Sequence, residues 1–544
     1  MNMIKNKTMK QFIYSLFITT MLVFTACEDT MDEKHSNPDA FTTTEIQYLF
    51  ARGTLNAVEI DYVDTYNQNF RFLGNYIQVT ARREGANRIN LYDIKNNEDK
   101  GRWENYYIKR MSTLTEMDKI YNTLSAAEQQ ETKIFMEAGK ILKAYNTAIT
   151  TDFFGNMPYS EAFTARNPLY GENVVFRPAY DSQKDIYYAI LDDLKTAAEY
   201  FKSAQSNSAF DKQDIIYKGN TNGWYKFANS LRLRYAMRIS NADEAKAKEV
   251  ISSLSTESLI TENKDNTYII ANTNTIDAIW RAMNESHTRG QGYYLFAPEK
   301  MVNVQKEADD PRLQVFFQPP SDDDGNIIEA YKDAELIGYP ASADKAIEKV
   351  AELGADGIMN TYAVYNSTTF RKNYNLPAGI GITAAEVHLL LAEAAVRGLY
   401  SGNAETLYNK GIILSVQNYY DYYVNSDADY KDDAIVKTDT SDETLSSWLA
   451  GSTYKFSNAN AIEQIATQKW MHLGILQIYE NWAEYRRTDF PVLDDDRENG
   501  ALLNKGNAPV RLLYPSKEAS MNTENYNAQS QYNDPHVRLW WDVK

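Results

Sequence analysis

Helical periodicity is the feature that most restricts what this chain can fold into. Ile134, Ala138, Ile141, Tyr145 and Ala148 recur at spacings of three and four, which places them on one stripe of an α-helix. Ile186, Ile190, Leu194, Ala197 and Phe201 repeat the pattern, and Ser182 with Asp185 gives a start signal close to a capping box. Thr383 and Glu386 form a full capping-box pattern ahead of Val387, Leu390, Leu391 and Ala394, and the helix they predict stops at Gly398. A fourth stripe follows at once in Ala404, Leu407, Gly411 and Leu414.

The predicted pair 383–397 and 403–420 is joined by a short Tyr-Ser-Gly-Asn turn. It carries Ala392, Ala394, Ala395, Gly398, Ala404 and Gly411, small residues that let two antiparallel helices approach closely. The arrangement resembles a tetratricopeptide-type hairpin, although that repeat's period does not recur cleanly elsewhere. Residues 261–300 and 318–375 are irregular and rich in Asn, Asp, Thr, Gly and Tyr, with short strand-like pieces such as Thr267 to Ala271. Long loops on a rigid scaffold are where binding sites usually sit. No Pro/Gly/Ser-rich linker divides the chain, so residues 41–544 are expected to form one mostly α body with long excursions.

The first forty residues have a different character. Lys5, Lys7 and Lys10 precede an apolar stretch from Phe12 to Ala26, too short for a permanent bilayer span and of the size of a signal-peptide core. It ends Leu22-Val23-Phe24-Thr25-Ala26-Cys27, which resembles the lipobox of bacterial lipoproteins, with Phe24 where that family usually has leucine. The resemblance implies cleavage of residues 1–26 and acylation of Cys27. Cys27 is also the only cysteine in 544 residues, so no internal disulfide can form. Glu28, Asp29, Asp32 and Glu33 follow, resembling the acidic surface-export signal of certain Gram-negative lipoproteins; residues 27–40 read as a lipidated, flexible tether.

The formal charge of −18 disfavours nucleic acid and anionic membrane surfaces as partners. Tyrosine is used 40 times, beside 21 Phe and 8 Trp. A ring with an apolar face and a polar tip suits sugars, whose C–H faces stack while their hydroxyls seek hydrogen bonds. Most of these rings must nevertheless serve packing.

Several segments together resemble one family. Thr151-Asp152-Phe153-Phe154-Gly155-Asn156-Met157-Pro158-Tyr159-Ser160-Glu161 is followed by Phe176, Pro178 and Tyr180-Asp181-Ser182-Gln183. The helix-like run from Trp224 to Arg238, with Asn229, Arg232 and Arg234, is the most specific piece. Asp309-Asp310-Pro311-Arg312-Leu313, Glu386 to Ala394, Gln468-Lys469-Trp470 and Trp482 to Arg487 continue the order. Arg511 to Pro515, Asn525 and Trp540-Trp541-Asp542 close it. This series is similar to the SusD/RagB nutrient-binding lipoproteins along essentially the whole chain. The resemblance implies a mostly α fold, with tetratricopeptide-like helix pairs packed against an irregular, loop-rich half. It also implies an outer-membrane lipoprotein facing outward and paired with a SusC-like TonB-dependent transporter, over which it closes while carrying an oligosaccharide or, in the RagB-like branch, a peptide. Trp224, Phe227, Leu231 and Tyr235 fall on one helix face, and Arg232, Arg234 and Arg238 are expected to pair with acids of neighbouring helices. That segment, and Arg486 and Arg487 with it, is read as holding the fold rather than touching a ligand, and Trp540-Trp541-Asp542 as a docked tail.

Three sets of residues are candidates for holding a ligand. Arg82, Arg83 and Trp103 form one, with Trp103 at a predicted loop-to-helix transition. Trp280 is the second. The third is Tyr293, Tyr294 and Phe296, whose flanking Gly290 and Gly292 are expected to expose the rings. Neither Asp322-Asp323-Asp324-Gly325-Asn326 nor Asp494-Asp495-Asp496 fits the EF-hand spacing, so no cofactor is expected and a structural Ca²⁺ ion is not indicated. His35, His287, His388, His472 and His536 lack zinc-ligand spacing, and there is no Gly-x-Ser-x-Gly elbow. A binding protein is therefore expected rather than an enzyme. A glycoside hydrolase needs only two carboxylates, which 74 acids do not single out. A surface protein without a small ligand is a further alternative.

Overall fold

The computed structural model describes residues 45–58, 64–83, 101–165, 167–270, 278–287, 294–341, 343–493 and 508–543. Cys27, the tether, Tyr293 and the Asp494–Asp496 run lie outside these. The first helices are α1 (Ile46–Val58), α2 (Ser112–Tyr121) and α3 (Ala126–Phe154). Ser125 caps α3 through a reciprocal box with Glu128, and the predicted stripe from Ile134 to Ala148 is buried along it. Next come α4 (Gln183–Phe201), capped by Ser182 as expected, α5 (Thr221–Ile239) and α6 (Glu244–Ser252).

The middle of the chain is sparser. It contains α7 (Ala278–Glu285), α8 (Glu299–Glu307) and α9 (Ala343–Thr361), threaded among short strands. Strands β1 (Ala81–Arg83), β2 (Met157–Pro158), β3 (Tyr180–Asp181) and β4 (Tyr268–Ile270) are followed by β5 (Tyr294–Phe296), β6 (Phe317–Gln318), β7 (Val364–Tyr365) and β8 (Pro377–Ile380). All their pairings are antiparallel, in a four-stranded sheet of order β1-β5-β7-β6 and in the pairs β2-β3 and β4-β8. The strand-like piece read at Thr267 to Ala271 is β4, and its partner β8 comes more than a hundred residues later.

The later helices include α10 (Ala384–Val396), α11 (Ala404–Val424), α12 (Asp442–Gly451), α13 (Ala461–Leu473), α14 (Ile478–Thr488), α15 (Ser516–Met521) and α16 (Thr523–Ala528). α10 and α11 form the expected hairpin, with α11 running four residues beyond its predicted end at 420. Gly398, at φ 70°, closes α10: its N–H reaches the Ala395 carbonyl and the Leu399 N–H that of Ala394. A side chain at Gly411 would put its Cβ 2.8 Å from Leu389 Cγ, so this glycine sets how closely the pair approaches. One expectation fails at the start of α10. The Thr383 hydroxyl accepts the Glu386 N–H, but the Glu386 carboxylate does not turn back to the cap; it runs inward to Arg234.

That departure reflects how the body is built. α3 packs on α4, α4 on α5, α5 on α10, α10 on α13, α13 on α14, and α14 again on α3. Along the inside of this closed circuit lie Arg234 and Arg238 of α5, Glu386 and Glu393 of α10, Lys469 of α13 and Glu480, Glu484 and Arg487 of α14, all buried. Arg238 engages Glu480, and Arg487 forks onto Glu393 with both nitrogens at 2.6 Å while also reaching Glu484. Arg232 differs from its expected role: its guanidinium bonds Asn229 and Ser253, not an acid. Arg486 stacks 3.6 Å over the Trp482 ring and donates to the carbonyls of Asp152 and Val510. Buried charges persist only when each is paired or hydrogen-bonded, so this ionic interior fixes the mutual register of the helices.

The tail docks as the sequence indicated. Trp541 is fully buried and its indole N–H donates to Asp152 at 2.7 Å; the same oxygen accepts the Tyr187 hydroxyl at 2.6 Å. Asp152 thus joins α3, α4 and the last residues of the chain. Among the described residues, no helix is long and apolar enough to cross a membrane.

Candidate functional site

The sheet brings together parts of two of the predicted sets. β1 and β5 pair so that Arg83 lies opposite Tyr294, Arg82 opposite Leu295 and Ala81 opposite Phe296. Trp280 lies on α7, shortly before β5. The side chains of Arg82, Arg83, Trp280 and Tyr294, and the whole of Tyr293, are outside the described residues. Phe296 is a correction. It is 0% exposed and stacks 4.6 Å from Tyr339 in a small core with Ile358, Met359 and Val364, so it offers no ring face to a ligand. The nearby glycines do not expose it, because β5 is covered by α9 and β7.

Trp103 belongs to a different cluster. Residues 101–104 are helical and run into a π-helical stretch, Asn105–Arg110. Along it, Tyr106 sinks into the core with its hydroxyl 3.0 Å from Thr147, while Tyr107 is half-buried and donates to the Pro158 carbonyl at 2.7 Å. Trp103 packs 5.2 Å from Tyr107 and 5.1 Å from Phe154. Phe163 lies 5.4 Å from Tyr107 and adopts φ 62°, a left-handed conformation that costs a non-glycine residue about 1–3 kcal/mol and persists here under ring packing.

The β2-β3 hairpin is pinned by Asp181, which accepts the N–H groups of Tyr159 and Ser160 and the Ser160 hydroxyl. From the other side, α15 and α16 clasp the segment before β3. The Tyr180 hydroxyl donates to Glu518 at 2.8 Å, and the Asn522 and Asn525 amides donate to the Pro178 carbonyl. Burial and the Glu518 charge hold the Tyr180 hydroxyl far above the ordinary phenol range, so it remains a neutral donor.

Between α2, this loop and α15 opens a groove of ≈ 500 Å³. Trp103, Tyr107, Phe163 and Phe176 line it, with Met521 at the far wall. Trp103 keeps only 5% of its surface exposed and forms the floor, whereas Phe176 is 86% exposed. Pockets of this size, mostly apolar with a few convergent polar groups, are typical small-ligand sites. Lys119 on the wall is held by Glu172 at 2.6 Å. Among the described residues, no group of three or more His, Cys, Asp or Glu side chains is placed to hold a metal ion.

A family model described as starch-binding and associating with the outer membrane matches residues 40–515. The chain belongs to the SusD-like family. The fold agrees. A chitin-binding protein superposes with a TM-score of 0.72 at 22% identity, covering 92% of this chain and 100% of its own. A SusD-like protein, AC2a, of the Bacteroidetes gives 0.70 at 23% identity with the same coverage. A SusD homologue from Bacteroides uniformis gives 0.66 at 23% identity, covering 92% of this chain and 99% of its own. No curated protein matches by sequence. The mostly α, SusD-like architecture implied by the sequence motifs is therefore present, and the family is one of outer-membrane glycan-binding proteins.

Of the rings that line the SusD-like groove, only Trp103 was singled out from sequence as a ligand candidate. Phe176 stands in a family motif, and nothing local distinguishes it from a packing residue; the signal available was an aromatic flanked by Arg177 and Pro178 with no helical stripe to join.

Proposed function

We propose that this SusD-like protein is a lipid-anchored, surface-exposed binding protein that captures oligosaccharides and passes them to a SusC-like, TonB-dependent barrel transporter. The observation that carries the proposal is the match of residues 40–515 to a starch-binding, outer-membrane family. Residues 1–26 act as the export signal, Cys27 carries the lipid and residues 27–40 form the tether. The groove is where sugar rings stack: Phe176 offers an open ring face, with Tyr107, Phe163 and Trp103 beneath and polar groups of Ser112 and Thr115 beside it. Arg82, Arg83 and Tyr294, which lie on the paired strands β1 and β5, form with Trp280 and Tyr293 a second contact region for a long chain. The protein has no catalytic role and no cofactor. That a chitin-binding protein shares the fold accords with a glycan ligand.

Calorimetry against maltohexaose, chitohexaose and a peptide pool, with recovery of Cys27-anchored protein from native outer membranes, tests this. Binding of one or both glycans and co-purification of a TonB-dependent barrel are expected. Silence on both glycans with retention of peptides would replace the ligand class, and recovery without any barrel would remove the transporter.

A further inference from the structure

The charges around the groove are unevenly placed. Glu116, Glu161, Glu518 and Lys119 line it. Lys119 is already engaged by Glu172 at 2.6 Å, and Lys517, next to Glu518, lies 3.5 Å from Glu104. Glu161 accepts the Ala179 N–H through Oε2, and Glu518 accepts the Tyr180 hydroxyl through Oε2. Those bonds fix both carboxylates in place and leave the Oε1 atom of each as an acceptor. A ligand in the groove therefore meets anchored carboxylates, and the lining ammonium of Lys119 already has an anionic partner.

We infer that the groove selects glycans by charge: it takes neutral oligosaccharides, whose hydroxyls donate to Glu161 and Glu518, and rejects those bearing carboxylate or sulfate groups. This rests on the glycan-binding reading above and narrows its substrate class. The physics is local. Hydroxyl-to-carboxylate bonds are charge-assisted and stronger than neutral ones. A ligand anion at the same place would meet like charge at short range. The whole chain, at −18, also repels polyanions, but that field is screened beyond about 8 Å at physiological salt, whereas contacts within the groove are shorter than the screening length.

The test uses the full mature chain at 0.15 M salt with hexasaccharide probes: maltohexaose, chitohexaose and xylohexaose against oligogalacturonate, oligoalginate and a heparin-derived hexamer. The expected result is that the best neutral probe binds at least roughly tenfold more tightly than any anionic one. In the double variant Glu161→Gln/Glu518→Gln the margin should shrink at least threefold, as the like charge is removed, while Glu443→Gln, on α12 and exposed, leaves it unchanged. An anionic hexamer bound as tightly as the best neutral one, or an unchanged margin in the double variant, overturns the inference while leaving glycan binding standing. Binding of none of the six overturns glycan capture itself, and the selectivity with it.

Discussion

Arg234 of α5 and Glu386 of α10 meet in a two-pronged ion pair, Nε to Oε1 at 2.6 Å and Nη2 to Oε2 at 2.5 Å, with side chains 1% and 0% exposed. Removing one partner strands the other charge in the interior. Glu386→Ala should lower the unfolding free energy by about 3–5 kcal/mol. The double replacement Arg234→Met/Glu386→Leu should cost much less than the sum of the two single changes. Urea unfolding of the four proteins of the cycle checks this, and a loss below about 1 kcal/mol for Glu386→Ala would show that the pair is not what holds α5 to α10.

Acid should weaken the fold early. Burial, with the Arg312 charge, pushes His472 down to about 3; its ring bonds Thr383 and Ser415. Burial, with Lys410, pushes His388 down to about 4. Both folded values lie below the unfolded value of about 6.5, so as the pH falls the unfolded chain takes up these protons first. The stability they allow is complete above pH ~6.5 and declines by roughly 1.4 kcal/mol per pH unit for each histidine toward the folded values. Below about pH 4.5 a further loss joins in: burial raises Glu484, but Arg487, Lys469 and Arg238 outweigh it and hold the carboxyl well below its ordinary range. Thermal unfolding between pH 7 and 5 should show the decline, and His388→Gln should flatten it. A flat profile in the wild type would contradict this account.

Sugar capture through the groove makes Phe176 the most exposed of its ring contacts. Because 86% of its surface is open, Phe176→Ala should leave the fold intact. It should weaken binding of a neutral hexasaccharide by about 1–3 kcal/mol, the magnitude of ring stacking on flat ligands. Calorimetry reads the change; equal affinity would remove Phe176 from the site.

Anchoring and capture should separate. Cys27→Ala is expected to leave thermal unfolding and glycan affinity as in the wild type, and to move the protein from the membrane pellet to the soluble fraction. Fractionation beside calorimetry checks both, and persistent membrane retention would speak against Cys27 as the lipid site.

The parts of this fold that could be read from sequence are those whose information is local. The stripes of α3 and α4, the Ser182 cap and the α10-α11 turn each need only neighbours three or four positions away. Even so, Glu386 followed the capping-box pattern and went elsewhere, because a charged Arg234 on another helix is a stronger partner than a neutral backbone N–H. Phe296 was misread for the same kind of reason: its cover, Tyr339, Ile358 and Tyr362, comes from later in the chain. The groove is less legible still. Its floor is Trp103, its open ring Phe176 and its wall Met521, three segments with no shared motif, drawn together by long-range contacts such as the hydrogen bond of Tyr180 to Glu518, the Asn522 clasp and the packing of Trp103 on Tyr180.

The docking of the tail predicts a graded series. Trp541→Ala removes both a buried ring and the donor to Asp152 and should cost about 3–5 kcal/mol. Trp541→Phe keeps most of the ring, loses the N–H and should cost about 1–3 kcal/mol. Denaturant titrations in which Trp541→Phe costs nothing would refute the role given to the indole N–H.

Asp152 has a consequence for truncation. Its carboxylate is satisfied by donors from α4 and from Trp541. A chain cut before Trp541 keeps every residue that lines the groove but leaves a half-satisfied acid in the core, so the completeness of the groove and that of the interior are separate properties.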